Sequence, residues 1–237
     1  MSVIALLFLG VLFGMQHATE ADHLAAVATL VAREKQLRAA IRQGVFWGFG
    51  HTLTLLLFGG AVMVIGIALS DRWTHALEGA VGVMLIVLGA DLVRRLMRDR
   101  VHFHVHMHEG DALGASAHFH AHSHKGENIP HDVAQHRHEH RSIPVRAVLV
   151  GMVHGLAGSS ALVLLTLEQI KSPWLGLIYV VLFGIGSMIG MGLLSAVVAV
   201  PLRFSAQRLT KWYRAVNMAV ALFSIGLGLH VVGQQWL

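Results

Sequence analysis

The 237-residue chain is 55% hydrophobic and only 13% charged, and its mean hydropathy is +0.62. A water-soluble domain cannot bury so large an apolar fraction, so most of the chain must be surrounded by lipid. Soluble enzymes and nucleic-acid-binding domains are thereby excluded, and the net charge of +5 is a signal of membrane topology. The chain has 18 His and no Cys, so disulfides, thiolate metal sites and iron–sulfur clusters are also excluded.

The apolar stretches predict an all-α membrane protein. The hydrocarbon core of a bilayer requires about 20 apolar residues per helix. Six stretches meet this requirement, near residues 3–31, 44–69, 77–97, 145–168, 173–200 and 214–233. The first is long enough for a tilted or interrupted helix. Because no basic region precedes it and no cleavage site follows it, we expect a retained span and not a signal peptide.

The basic residues predict the orientation. Sixteen of the 18 Lys and Arg residues lie beside the first, third and fifth connections, and only Arg72 and Lys171 lie on the other side. Positively charged connections stay in the cytoplasm. We therefore expect a protein of a bacterial-type cytoplasmic (inner) membrane, with both termini outside and the connection at 98–144 inside.

A weak internal repeat divides the chain into halves. Gly14-Met15-Gln16-His17 matches Gly151-Met152-Val153-His154 at an offset of 137 residues. Two further Gly-containing matches follow in the same order, 48–51 with 184–187 and 89–91 with 228–230. Because each half has three spans, the second must enter the membrane from the opposite face. The sequence predicts a 3+3 inverted repeat, with one three-helix unit at 1–97 and the other at 145–237.

The connection at 98–144 has a different composition. It carries 12 of the 18 His, in runs that alternate with other residues. It has few large aliphatic residues, so we expect a largely disordered cytoplasmic loop that buffers transition metals. The loop residues with this predicted role are His102, His104, His106, His108, His118, His120, His122, His124, His136, His138 and His140.

Ionisable residues inside the predicted spans indicate a site or pathway, because each is costly in lipid. They are His17, Glu20, Asp22, His23, His51, Asp91, His154 and His230. The densest group is the sequence His-x4-Asp-His at 17–23. On a straight helix its three members point about 120–140° apart. Either the helix opens near Gly14, or other spans supply further ligands.

These residue types favour late first-row metal ions. Imidazole together with carboxylate suits nickel, cobalt, zinc or copper better than Mg²⁺ or Ca²⁺. Residue types alone do not choose among the four. Ligation requires neutral imidazole, so metal binding should weaken as the pH falls. Glu20, three residues from both His17 and His23, suits a ligand, a hydrogen-bond acceptor for an imidazole or a proton acceptor.

Three segments resemble the nickel/cobalt transporter (NiCoT/NicO) superfamily. The segment 14–26, with His17-x4-Asp22-His23, looks like its signature, and 48–52, ending in Gly-His-Thr, is similar to its second motif. The segment 150–159 looks like short members associated with nickel supply to urease. Longer members have eight spans and Asp/Thr-rich later motifs, whereas the segment 184–187 has no acid. The six-span count and the His-rich loop also resemble the efflux branch.

The resemblance implies a secondary carrier, not an enzyme, for Ni²⁺ or Co²⁺ in the lipid bilayer. His17, Asp22 and His23 would bind the ion, and His51 and His154 would complete or relay the site. Glu20, Asp91 and His230 are candidates for a supporting or relay role. We expect no prosthetic group and no nucleic-acid partner, and cytoplasmic metallochaperones would receive the ion. The chain contains no Walker-type nucleotide-binding sequence.

Uptake is the leading interpretation, and two alternatives stay open. A nickel, cobalt or zinc exporter would share the His-rich loop, which would then collect ions for export. An intramembrane metal-dependent hydrolase would also carry His and Asp inside its spans. Lipid turnover that His17→Ala abolishes would favour the hydrolase.

Overall fold

The computed structural model describes residues 3–32, 34, 36–65, 71–98, 102–106, 118–122, 144–157, 172–208 and 210–236. Seven helices and two strands lie in these ranges. The helices are α1 (Val3–His17), α2 (Ala21–Val31), α3 (Leu37–Ile65), α4 (Asp71–Arg98), α5 (Val145–Ala157), α6 (Pro173–Arg208) and α7 (Thr210–Trp236). The strands are β1 (His102–His106) and β2 (His118–His122).

The expectation of apolar membrane helices is confirmed for three segments. Arg72–Arg98, Trp174–Leu202 and Trp212–Gln235 are each long and apolar enough to cross a membrane. The first predicted span is interrupted, one of the two forms expected for it, and consists of two shorter apolar helices, Leu7–His17 and Ala21–Val31. The predicted fourth span begins with α5, and its remainder, 158–168, lies outside the described residues.

The strands differ from the expected disorder of the His-rich loop. β1 and β2 form an antiparallel pair in which His102, His104 and His106 lie opposite His122, His120 and His118. In both strands His alternates with Phe, Val or Ala, a two-residue period with aromatic or β-branched members that favours extended backbone. These ten residues are thus ordered as a strand pair within a connection predicted to be largely disordered. His108, His124, His136, His138 and His140 lie outside the described residues.

The helices pack in four principal pairs. α4 lies along α7, α3 lies between α5 and α6, and α1 lies along α6. The short α2 contacts α4, α6 and α7. Its inner face is closely packed, and Ala25, Ala26 and Val27 are almost fully buried there. This packing holds α2 inside the bundle directly after the interruption of the first span.

Glycines allow the helix backbones to touch. A Cβ at Gly14 on α1 would overlap the carbonyl oxygen of Phe183 on α6, and a Cβ at Gly151 on α5 would overlap that of Trp47 on α3. Small residues at membrane helix interfaces permit such close approach. Gly151 follows Gly14 by 137 residues and Phe183 follows Trp47 by 136, so corresponding positions of the two halves make corresponding contacts.

A glycine substitution pair tests this packing. Gly14→Ala should lower the melting temperature of the detergent-solubilised protein, because its methyl group overlaps backbone atoms of α6 that cannot move independently. Gly226→Ala is the matched control, since a Cβ there meets nothing within 4 Å, and it should keep or raise the melting temperature. Equal melting temperatures for the two variants would contradict the packing.

Candidate metal centre

The site begins at the interruption between α1 and α2. The backbone N–H of Thr19 donates to the Gln16 carbonyl at 2.9 Å, and that of Glu20 donates to the His17 carbonyl at 3.1 Å, which closes a tight turn. Glu20 then adopts an extended conformation, with φ −63° and ψ 152°. The interruption therefore lies at 18–20, not near Gly14, and both expected solutions to the ligand geometry occur: the helix opens, and other helices contribute.

Four imidazoles meet at this interruption. His17 ends α1, His23 lies in the first turn of α2, His51 comes from α3 and His154 from α5. Each of the four residues is at most 2% exposed. The ring centroid of His23 lies 4.3 Å from that of His17, 5.4 Å from that of His51 and 4.1 Å from that of His154. His23 is thus the centre of the group.

Two carboxylates accept hydrogen bonds from three of these four rings. The Nδ1–H of His17 donates to Glu20 Oε1 at 2.8 Å. Asp22 Oδ1 accepts from His23 Nδ1 at 2.9 Å, and Asp22 Oδ2 accepts from His154 Nε2 at 3.0 Å. A carboxylate that accepts one ring N–H fixes the tautomer and leaves the other ring nitrogen with its lone pair. Asp22 also joins α2 to α5, across the two halves of the chain.

Five buried ring nitrogens have no hydrogen-bond partner among the described residues. They are His17 Nε2, His23 Nε2, both nitrogens of His51, and His154 Nδ1. Unsatisfied buried polar atoms are rare, and each calls for an explanation such as a bound ion. The potential ligand atoms of His17, His23 and His51 lie within 4.8 Å of one another, as do those of Asp22, His23 and His154. Either group can hold a metal ion, and only His23 belongs to both.

Aromatic side chains surround the imidazoles. Trp47 is fully buried, and its ring centroid lies 5.3 Å from those of His23 and His154. Phe183 lies 5.4 Å from His17. Sequence reasoning missed both residues. The available signal for Trp47 was its position one helical turn before His51, which places the two side chains on one face of α3.

The structure brings together His17, Glu20, Asp22, His23, His51 and His154, but not the two other residues proposed inside the spans. Asp91 pairs with Arg146 at 2.8 Å and with Arg95 at 3.3 Å, which links the end of α4 to the start of α5. His230 is exposed on α7 and belongs to neither potential ligand group of the described chain.

These features define a helical membrane protein whose buried core holds four imidazoles, three of them hydrogen-bonded to two carboxylates. The chain belongs to the family of the urease accessory protein UreH. It is 32% identical to UreH of Bacillus sp. (strain TB-90) over 231 residues, which cover 96% of this chain and 90% of UreH.

Two plant proteins are more distant relatives. The chloroplast proteins FOR GROWTH AND FERTILITY 2 and FOR GROWTH AND FERTILITY 1 of Arabidopsis thaliana are each 24% identical to the chain, over 221 and 229 residues. The matches cover 91% and 94% of this chain but only 52% and 57% of the plant proteins. No model of a known protein family matches the chain, and no solved structure matches it.

Proposed function

We propose that the chain is a secondary carrier of the nickel/cobalt transporter superfamily that imports Ni²⁺, and also Co²⁺, across the cytoplasmic membrane. The observation that carries this proposal is the burial of four imidazoles at an interruption of an apolar helix, with five ring nitrogens that find no partner in the described part of the chain. A purely structural role gives no reason for so many unsatisfied polar atoms in an apolar core. A cation bound among His17, His23 and His51 would satisfy three of the five, one nitrogen on each ring.

The ion lies among His17, His23 and His51 in this proposal. Glu20 accepts the Nδ1–H of His17, and Asp22 accepts the Nδ1–H of His23. The two histidines therefore each present Nε2 as a metal ligand. Such carboxylate–histidine pairs raise the basicity of an imidazole ligand and fix its orientation. Asp22 is then chiefly an orienting group that also holds His154, and a neutral three-imidazole site suits a late first-row dication.

The relationship to UreH supports nickel as the cargo. UreH is named as an accessory protein of urease, and the segment 150–159 resembles superfamily members associated with nickel supply to urease. Imidazole ligands are compatible with Ni²⁺ and Co²⁺ and poorly suited to Mg²⁺ or Ca²⁺. The ion that this chain imports would pass to cytoplasmic metallochaperones.

We further propose that six spans form a 3+3 inverted repeat with both termini outside. The support comes from matching glycine contacts in the two halves: Gly50 meets the Val148 carbonyl oxygen, and 136 residues later Gly186 meets that of Val11. Inward movement of a dication down an inside-negative potential is favourable by about 4–5 kcal/mol per 100 mV. The membrane potential alone is sufficient to drive uptake in this orientation.

We propose that the His-rich connection buffers metal on the cytoplasmic side. The strand register places three His opposite three His at alternate positions, hence on one face of the paired backbone. The register pairs His with His at three positions. The pairing favours discrete two-His sites over a random tract.

Two six-residue variants of the purified protein test this arrangement. Replacement by Asn of the six strand residues His102, His104, His106, His118, His120 and His122 should remove most loop-bound Ni²⁺ measured by equilibrium dialysis. The matched control replaces His108, His124, His131, His136, His138 and His140 by Asn and should remove less. Equal losses would contradict the pairing.

Nickel accumulation in cells tests the proposed function. Cells that express the wild type should accumulate more ⁶³Ni than cells that express His17→Ala or Asp22→Asn, at equal amounts of protein in the membrane. Lower accumulation with the wild type would show export. Equal accumulation would refute nickel transport.

A further inference from the structure

The four imidazoles are buried, so an ion must reach them by a definite route. A cleft of about 310 Å³ opens beside the interruption between α1 and α2. Its walls combine three aromatic residues, Phe13, Tyr179 and Phe183, with three polar ones, Gln16, Thr19 and Glu20. Among the five proposed metal-site residues, His17 alone lines it. The cleft thus reaches the site at one imidazole.

The cleft has the size and polarity for a hydrated dication. Water occupies about 30 Å³ per molecule, so an ion with six waters needs about 180 Å³. Gln16, Thr19 and Glu20 are all exposed, although they lie inside a predicted span. Exposed amide, hydroxyl and carboxylate groups at this depth are unfavourable against lipid but favourable against water. The cleft is therefore best explained as a water-filled recess.

One side chain stands between the recess and the buried ligands. The His17 ring borders the cleft, and its centroid lies 5.4 Å from that of the Phe183 ring. Its Nδ1 is hydrogen-bonded to the carboxylate of Glu20, whose side chain is 43% exposed. The Nε2 atom of His17 is buried and faces no hydrogen-bond partner in the described chain. On its inner side His17 approaches His23 and His51, at centroid distances of 4.3 and 5.3 Å.

We propose that this cleft is the access route to the metal site, that Glu20 is the first charged group to meet the ion, and that His17 is the gate. The inference rests on the proposed function, because it assumes that the buried imidazoles bind the ion. The hydrated ion pairs with Glu20, the Glu20–His17 hydrogen bond opens, and water ligands are exchanged for imidazoles as the ring turns. No other described cleft is needed for this transfer.

The absence of Cys allows a direct test by site-specific labelling. Gln16→Cys places one thiol on the cleft, and Arg72→Cys places one on the exposed start of α4, which does not line it. Each purified full-length variant is treated with a trimethylammonium-ethyl thiosulfonate or with the small neutral methyl thiosulfonate. The measured quantity is the rate at which bound ⁶³Ni exchanges with unlabelled Ni²⁺.

The cationic label at position 16 should slow exchange at least about fivefold relative to the methyl label, because it fills the cleft and repels a dication. The same pair of labels at position 72 should give equal rates. Unchanged exchange with the label at 16, or a thiol at 16 that does not react, would overturn the access route while leaving the proposed function intact. A wild-type protein that binds no ⁶³Ni would overturn the proposed function itself.

Glu20 provides a second test of the same route. Glu20→Gln keeps an oxygen that accepts the His17 Nδ1–H but removes the charge. It should slow ⁶³Ni loading and abolish the dependence of the loading rate on ionic strength, whereas Glu20→Asp should keep that dependence. A Gln variant whose loading rate retains the wild-type salt dependence would contradict a role for Glu20 in capture.

Discussion

His23→Ala should weaken Ni²⁺ binding at least about a hundredfold, since loss of a supporting group alone typically lowers metal affinity 10- to 100-fold. Of the two potential ligand groups, only His23 belongs to both. The two shortest distances between imidazole centroids in the site are those from His23 to His17 and from His23 to His154. The dissociation constant is measured on the purified protein by competition with a chromophoric chelator.

His75→Ala is the matched control for this prediction. His75 is exposed at the start of α4, where its Nδ1 pairs with Gln235, and its loss should leave the high-affinity Ni²⁺ site unchanged. His23→Gln, which fills more of the vacated space, separates loss of a ligand from loss of packing. A folded His23→Gln protein with wild-type affinity would contradict the assignment of His23 as a ligand.

Asp22→Ala should have the second large effect, on stability and on affinity together. It removes the acceptor for His23 Nδ1 and for His154 Nε2, two buried groups on different helices. An unsatisfied buried donor costs about 1–3 kcal/mol, so the loss of the acceptor for both should lower the free energy of unfolding by about 2–6 kcal/mol. Denaturation in detergent measures the stability, and chelator competition measures the Ni²⁺ affinity.

Asp22→Asn separates the two effects. The amide oxygen still accepts from His23, and the amide N–H can donate to His154 after a change of tautomer, so stability should be largely retained. The negative charge is lost, so Ni²⁺ affinity should still fall. Asp91→Asn removes a carboxylate that pairs with Arg146 and should leave the affinity unchanged. Wild-type affinity in Asp22→Asn would contradict the role of the charge.

Hydropathy predicted the presence of the long apolar helices better than it predicted where helices end or are interrupted. α4, α6 and α7 agree with predicted spans because a long apolar run has few alternatives to a membrane helix. The interruption at 18–20 is less visible, because Ala and Glu favour a helix and Thr is only mildly unfavourable in one. The interruption is caused by tertiary contacts. The helix α2 packs against α6 and α7, and the carboxylate of Glu20 accepts a hydrogen bond from His17.

The candidate site was predictable where the sequence carries a local pattern. His17, Asp22 and His23 belong to one motif, and the internal repeat pointed to His154. The different roles of the carboxylates were not predictable, because Asp22 lies opposite His154 only after α2 meets α5. Trp47 was missed for the same reason: its position one turn before His51 is visible in the sequence, but its contacts with His23 and His154 arise only when α3 meets α2 and α5. Asp91 was also grouped with the site residues, because it is an ionisable residue inside a predicted span. The sequence does not show that it forms an ion pair with Arg146 instead.

Transport by the purified protein is the most direct test of the central claim that the buried imidazoles carry Ni²⁺. The measurement is ⁶³Ni uptake into proteoliposomes with an imposed inside-negative potential, for the wild type beside His23→Gln. Uptake that depends on the potential in the wild type and is absent in the variant is the predicted result. Absence of uptake in the wild type, or equal uptake in both, would contradict the account.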